Sequence, residues 1–152
     1  MTATGHAPFE QRRLVEDGDL DERAHVNNVV YLRWVQDVAT AHWRALASAE
    51  SQQRIAWVAL RHEIDYLSPA RLGDEVVVRT WVGTAEGLSF ERFTEVRRVG
   101  DGRLLARART LWCPVEARSG RPHRVSAEVR AQFSSPVPAP PSDGAGAAGT
   151  ET

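Results

Sequence analysis

Two different periods of apolar and polar positions divide this chain. Tyr31, Val35, Val38, His42 and Leu46 recur at intervals of four, three, four and four, the spacing of a single buried helix face. Asn27 and Asn28, both good helix caps, place the start of that helix. Downstream the period drops to two. Ile55–Leu67, Glu75–Val82, Ser89–Val99 and Arg103–Val115 each read as a strand, separated by the turn signals SPARLGD, TAEG, GDG and RSGRP. A first strand is expected over Phe9–Val15 and a short closing helix over Ser126–Phe133. One strand, one long helix and four successive strands predict an α+β domain, an antiparallel five-stranded sheet with the helix on one face. One helix leaves part of such a sheet bare, and edge strands need cover, so a homo-oligomer, dimer or tetramer, is expected.

The ends of the chain differ in kind. Residues 1–8 read as an N-terminal extension and 9–133 as the domain. The segment 134–152, SSPVPAPPSDGAGAAGTET, holds so little to bury that it is expected to be disordered.

Composition removes several function classes. A formal net charge of −1 gives no basic field for nucleic acid or an anionic membrane. All 19 basic residues are arginine, which excludes a lysine Schiff base. The single Cys113 excludes an internal disulfide and any CxxC motif, and its mid-strand position reads as a buried, inert thiol. No apolar run reaches membrane-spanning length, and MTATGHAPFEQRR lacks the core of a secretory signal, so a cytoplasmic location is expected. No GxSxG elbow or phosphate loop occurs, and no cofactor is called for.

Candidate chemistry is concentrated in one stretch, Asp19 to Trp34, DLDERAHVNNVVYLRW. It sets Asp19, Asp21, His25, Asn27 and Asn28 just ahead of the helix, whose first N–H groups lack partners inside it. Carboxylates beside unpaired backbone donors are the minimum equipment for acyl transfer. The same residues also suit plain capping, with Asn27 as the cap and His25 bonded to the backbone. Asp19, Asp21 and His25 offer metal-ligand atoms, but no second cluster supports a metal site, because His62 and Glu63 are strand neighbours facing opposite ways.

Asp-x-Asp-x-x-x-His-Val-Asn-Asn-x-x-Tyr-Leu-x-Trp, as it stands from Asp19 to Trp34, resembles the signature of hot-dog-fold acyl thioesterases. The similarity is to the 4-hydroxybenzoyl-CoA thioesterase-like branch and to the plant acyl-ACP thioesterases. It extends through IDYLSPARLGDEVVV and covers Phe9 to Phe133. The resemblance implies hydrolysis of an acyl-CoA or acyl-ACP thioester. It makes Asp19 the nucleophile or general base, with Asp21 in reserve, and the amide near Val26 the oxyanion donor. His25 and Asn27 shape the turn. It further implies an acyl tunnel along the helix at a dimer interface, for whose wall Tyr31, Leu32 and Val35 are candidates, plain core packing being the alternative for each. The chain departs from the plant pattern at Arg23, where those enzymes have asparagine, and at Pro69 and Ala70, where they carry a Glu-Cys pair. Where other members place a carboxylate on the helix, only Asp37, next to Gln36, is available. The alternatives are a hot-dog domain that binds acyl thioesters without turnover, and a dehydratase using His42 and Asp37.

Overall fold

A computed structural model describes residues 8–133. Strand β1 (Phe9–Leu14) is followed by a 3-10 turn (Asp17–Asp19), helix α1 (Asn28–Leu46) and a short helix α2 (Ala49–Arg54). Then come β2 (Ile55–Tyr66), β3 (Glu75–Glu86), β4 (Ser89–Arg98), β5 (Leu104–Glu116) and helix α3 (Ala127–Phe133). The strands form one antiparallel sheet in the order β1-β3-β4-β5-β2. β1 and β2 lie at opposite edges, so the connection between them must traverse the sheet, and α1 is that connection. This is the hot-dog arrangement, a sheet with one long helix packed on its inner face.

Alternation decides what lies under the helix. Val76, Val78, Thr80 and Val82 of β3 are all buried, as are Phe90, Arg92, Thr94 and Val96 of β4. Each fully buried valine is worth about 1.5–3 kcal/mol in transfer energy. Against this face α1 lays Val30, Tyr31, Trp34, Val35, Val38, Ala39, His42 and Trp43. Apolar contacts gather in two clusters. One, around Val26, Tyr31, Trp34 and Val78, sits at the helix start; the other, around Trp43, Ile55, Val82 and Phe90, sits at its end.

Two expectations need correction, and one element was not foreseen. Leu46 falls on the buried face by spacing but is 38% exposed, because Trp43 fills the last contact with the sheet. Helix α2, capped by Ser48 accepting from the Ser51 N–H, has no buried residue and so left no apolar period to read. The TAEG stretch is mostly strand. β3 runs on to Glu86 past a register shift between Val82 and Ala85, and the turn is Gly87–Leu88. Gly83 permits that shift, since a Cβ there would meet Phe93 Cε2 at 2.6 Å. The 134–152 expectation lies outside the described residues.

Candidate active site

The helix start is held by its own sequence. Asn27 caps α1, its Oδ1 accepting the Val29 N–H at 3.0 Å, while its carbonyl accepts Val30 N–H at 2.8 Å. The Asn27 N–H donates to the Asp19 carbonyl and the Val26 N–H to the Ala70 carbonyl, both at 2.9 Å. The Val26 amide is therefore committed to the loop after β2. Asn28 supplies the first helix N–H that meets no acceptor among the described residues.

The two aspartates of the loop have different places. The Asp19 carboxylate turns back into the 3-10 turn and accepts the Glu16 N–H at 2.9 Å. Asp21 lies at the centre of a tight turn. Its Oδ1 accepts the N–H of Arg23 at 2.8 Å and of His25 at 3.1 Å, and its own N–H donates to the His25 carbonyl at 2.7 Å. Those backbone donors, His25 first and Arg23 next, hold the Asp21 carboxyl below its usual range. Closing the turn puts Ala24 in the left-handed region at φ 63, which costs a non-glycine residue about 1–2 kcal/mol.

A cleft of about 440 Å³ opens at this point. Asp21, His25, Asn27 and Asn28 border it on one side, Tyr66, Ser68 and Pro69 on the other. Tyr66, at the end of β2, donates its hydroxyl to the Asn28 carbonyl at 3.3 Å, and burial raises its pKa. Tyr31 packs edge-on against Tyr66 and Trp34 and accepts the Ala70 N–H at 3.1 Å. Burial raises the Tyr31 phenol too. Arg98 anchors the loop between β2 and β3, reaching the Pro69 carbonyl at 3.0 Å, Asp74 at 3.2 Å and Asp101 at 2.8 Å. Arg71 reaches His25 Nε2 at 3.4 Å, and since a guanidinium only donates, Nε2 is the acceptor.

The structure thus brings Asp21, His25, Val26, Asn27 and Tyr31 to one cleft and places the Asp19 side chain elsewhere. Leu32 is half-buried and Val35 buried on α1, and neither borders the cleft. Asp37 pairs with Arg13 at 3.0 Å, and His42 stacks on Phe9, so neither candidate for dehydratase chemistry faces the cleft. Among the described residues no group of three or more His, Cys, Asp or Glu is placed to hold a metal ion, and no helix is long and apolar enough to cross a membrane. Cys113 is a buried free thiol. Sequence reasoning missed Tyr66 and Arg98. Period-two counting from Ile64 puts Tyr66 on the inner face, whereas nothing local marks Arg98.

Known proteins give this geometry its context. A model of the thioesterase-like superfamily matches residues 15–133. No curated protein matches the sequence. Among solved structures, a thioesterase from Thermus thermophilus complexed with coenzyme A and Zn is 26% identical over 84% of this chain and 98% of its own, with TM-score 0.73. A 1,4-dihydroxy-2-naphthoyl-CoA thioesterase from Synechocystis is 21% identical, covers 79% of this chain and 90% of its own, and has TM-score 0.67. The 12:0-ACP thioesterase from Umbellularia californica, 19% identical with TM-score 0.70, shares 82% of this chain but 49% of its own. With the family match running from Val15 through the loop that carries Asp21, the long helix and the four strands after it, this chain belongs to the thioesterase-like superfamily.

Proposed function

We propose that the protein hydrolyses acyl-CoA or acyl-ACP thioesters, with Asp21 as the reacting carboxylate and the Asn28 amide as oxyanion donor. The observation that carries this reading is the meeting of an ionised Asp21 and an unpaired helix N-terminal amide at one cleft. A thioester carbonyl gains negative charge as it is attacked, and one fixed donor stabilises that charge by about 2.7–4 kcal/mol. Asp21 either attacks the carbonyl carbon or takes a proton from the water that does. Direct attack expels the thiolate and leaves a mixed anhydride, which water then cleaves to free acid and Asp21. With water attacking, the collapsing intermediate expels the thiolate, which takes up that proton. A thiolate needs little acid assistance, so a cleft without a dedicated acid suffices. His25, Asn27 and Val26 hold the turn, and Tyr66 and Tyr31 form its far wall. Asp19 supports the turn through Glu16. The coenzyme A complex of the 26% identical Thermus protein supports the carrier.

A second copy along the edge strand β2 belongs to the same reading. Among the described residues β2 has no partner on its outer side, and Val58 and Leu60 on it are 45% and 59% exposed. A cytoplasmic setting agrees with the unpaired thiol of Cys113.

The deciding experiment is a panel of acyl-CoAs with thiol release as readout; release of thiol at no chain length sinks the hydrolase reading, and binding without release makes this a carrier-type binding domain. The acid limb of the rate profile is a further check. The active form is the carboxylate, and its pKa lies below the ordinary aspartate value of 3.8. Activity should therefore persist through the ordinary carboxylate range and fall only as pH drops through the lowered value. Stability follows the same sign, present above the unfolded pKa and lost on acidification. An acid limb near pH 6 would show that another group controls the rate.

A further inference from the structure

Under the second half of α1 lies a cavity of about 360 Å³, apart from the cleft just described. Trp43, Trp57, Phe90 and Trp112 line it together with Ile55 and Val82, a wall that favours an apolar chain or ring, and Glu91 and Arg44 lie on its border. Arg92 also borders it, buried on the inner face of β4. Burial pushes the guanidinium down to about 10, still well above neutral pH, so the charge persists.

Among the described residues no hydrogen-bond partner of this charge is a carboxylate. Arg92 Nη1 donates to His42 Nδ1 at 3.0 Å from α1 and to Thr80 Oγ1 at 3.0 Å from β3. Thr80 in turn donates to the Phe93 carbonyl, and Thr94 donates to Thr80. On β5 the residue opposite Arg92 is Thr110, whose hydroxyl lies 3.0 Å from His62 Nδ1. The carboxylates nearby are used elsewhere. Glu91 pairs with Arg109 and accepts the Thr84 N–H, Glu95 pairs with Arg97, and Asp37 pairs with Arg13. No carboxylate among the described residues reaches Arg92. An uncompensated buried cation is among the costliest features a core can hold.

We propose that this cavity binds an apolar molecule ending in a carboxylate, with Arg92 pairing the carboxylate and the aromatic wall holding the chain or ring. The bidentate fork of arginine suits that headgroup better than any neutral one. Two sources share this chemistry: a free carboxylic acid, such as hydrolysis releases, or the far end of an acyl group that carries a second carboxyl. Only the choice of source rests on the thioesterase reading.

The test needs no turnover, because three tryptophans border the cavity. Titrating the intact protein with octanoate, and separately with octan-1-ol, while following tryptophan emission compares a carboxylate with a neutral molecule of the same length. Octanoate should bind at least about tenfold more tightly, the scale of one charge-assisted contact. Arg92→Met should erase the preference, with folding checked by circular dichroism, while Arg44→Ala at the cavity rim should retain it. Equal or tighter binding of the alcohol, or no emission change with either ligand, overturns the proposal whatever the variants do. Comparing octanedioyl-CoA with octanoyl-CoA as substrates then separates the sources. A kcat/KM preference for octanedioyl-CoA that Arg92→Met erases assigns the cavity to the far end of the acyl group, and equal kcat/KM for the two assigns it to a free acid. If no thioester is hydrolysed, the functional reading fails and the emission titration still decides this one.

Discussion

Asp21→Asn is expected to lower kcat for thioester hydrolysis about 10²- to 10⁴-fold, the usual contribution of a positioned proton-transfer or nucleophilic group. The substitution is nearly isosteric. An amide oxygen can still accept the Arg23 and His25 N–H groups that Asp21 Oδ1 accepts now, so the turn should keep its shape. What disappears is the negative charge and the basic oxygen. KM should change little, because Asp21 touches the reacting centre and not the carrier. Asp19→Asn provides the contrast. The Asp19 carboxylate serves the Glu16 N–H, which an amide oxygen accepts as well, so this change should cost no more than about 0.5 kcal/mol of stability and leave kcat within a few-fold. Parallel kcat, KM and urea-unfolding measurements on both variants decide the matter. A large kcat loss confined to Asp19→Asn would transfer the reacting role to that residue. Single-turnover hydrolysis in oxygen-18 water separates direct attack from water activation, since only attack by Asp21 puts label into the protein carboxylate.

Trp34→Ala should be the most damaging single change to the fold that spares every polar group of the cleft. Trp34 is 3% exposed and belongs to the apolar cluster at the helix start with Val26, Val30, Tyr31, Val38 and Val78. Removing an indole from a packed core costs about 3–5 kcal/mol, transfer energy plus the cavity left behind. That is a large share of the roughly 5–15 kcal/mol that stabilises a typical domain. The expected signature is a lower urea midpoint at unchanged slope. Function should weaken as well, because Trp34 backs Tyr31, and Tyr31 holds the Ala70 N–H while the Ala70 carbonyl holds Val26. A shift below about 1 kcal/mol would mean that the core at the helix start closes over the gap.

Local rules recovered the elements well. Asn27 is the cap because its side chain can reach the N–H two residues on, and that ability belongs to the residue itself. β2, β4 and β5 end within a residue or so of the positions their alternation predicts, since the period is set by the pleat. Failures occurred where the controlling partner is remote. Gly83 bends β3 because Phe93, on the neighbouring strand, occupies the space of its Cβ. Leu46 fits the helical spacing, yet it is the last helix residue and is exposed, while Trp43 makes the contact with the core.

The site shows the same division. That an acid-bearing turn would precede a capped helix was legible from Asp19–Asn28, and so was kinship with acyl thioesterases from HVNN and the residues around it. Which aspartate faces the cleft was not legible, because Asp19 and Asp21 have similar surroundings in sequence and differ only in which backbone N–H groups close on them. Likewise the Val26 N–H is bonded to the carbonyl of Ala70, far along the chain, while the Asn28 N–H meets no acceptor among the described residues. Sequence alone determined the order of elements, the cap and the chemical inventory, because these depend on neighbours a few residues apart. Tertiary structure decided which carboxylate borders the cleft and which amide is bonded, and set Arg92 beside a cavity with no carboxylate bonded to it among the described residues. A hydrogen-bonding group is free only after every distant partner that might claim it has been placed.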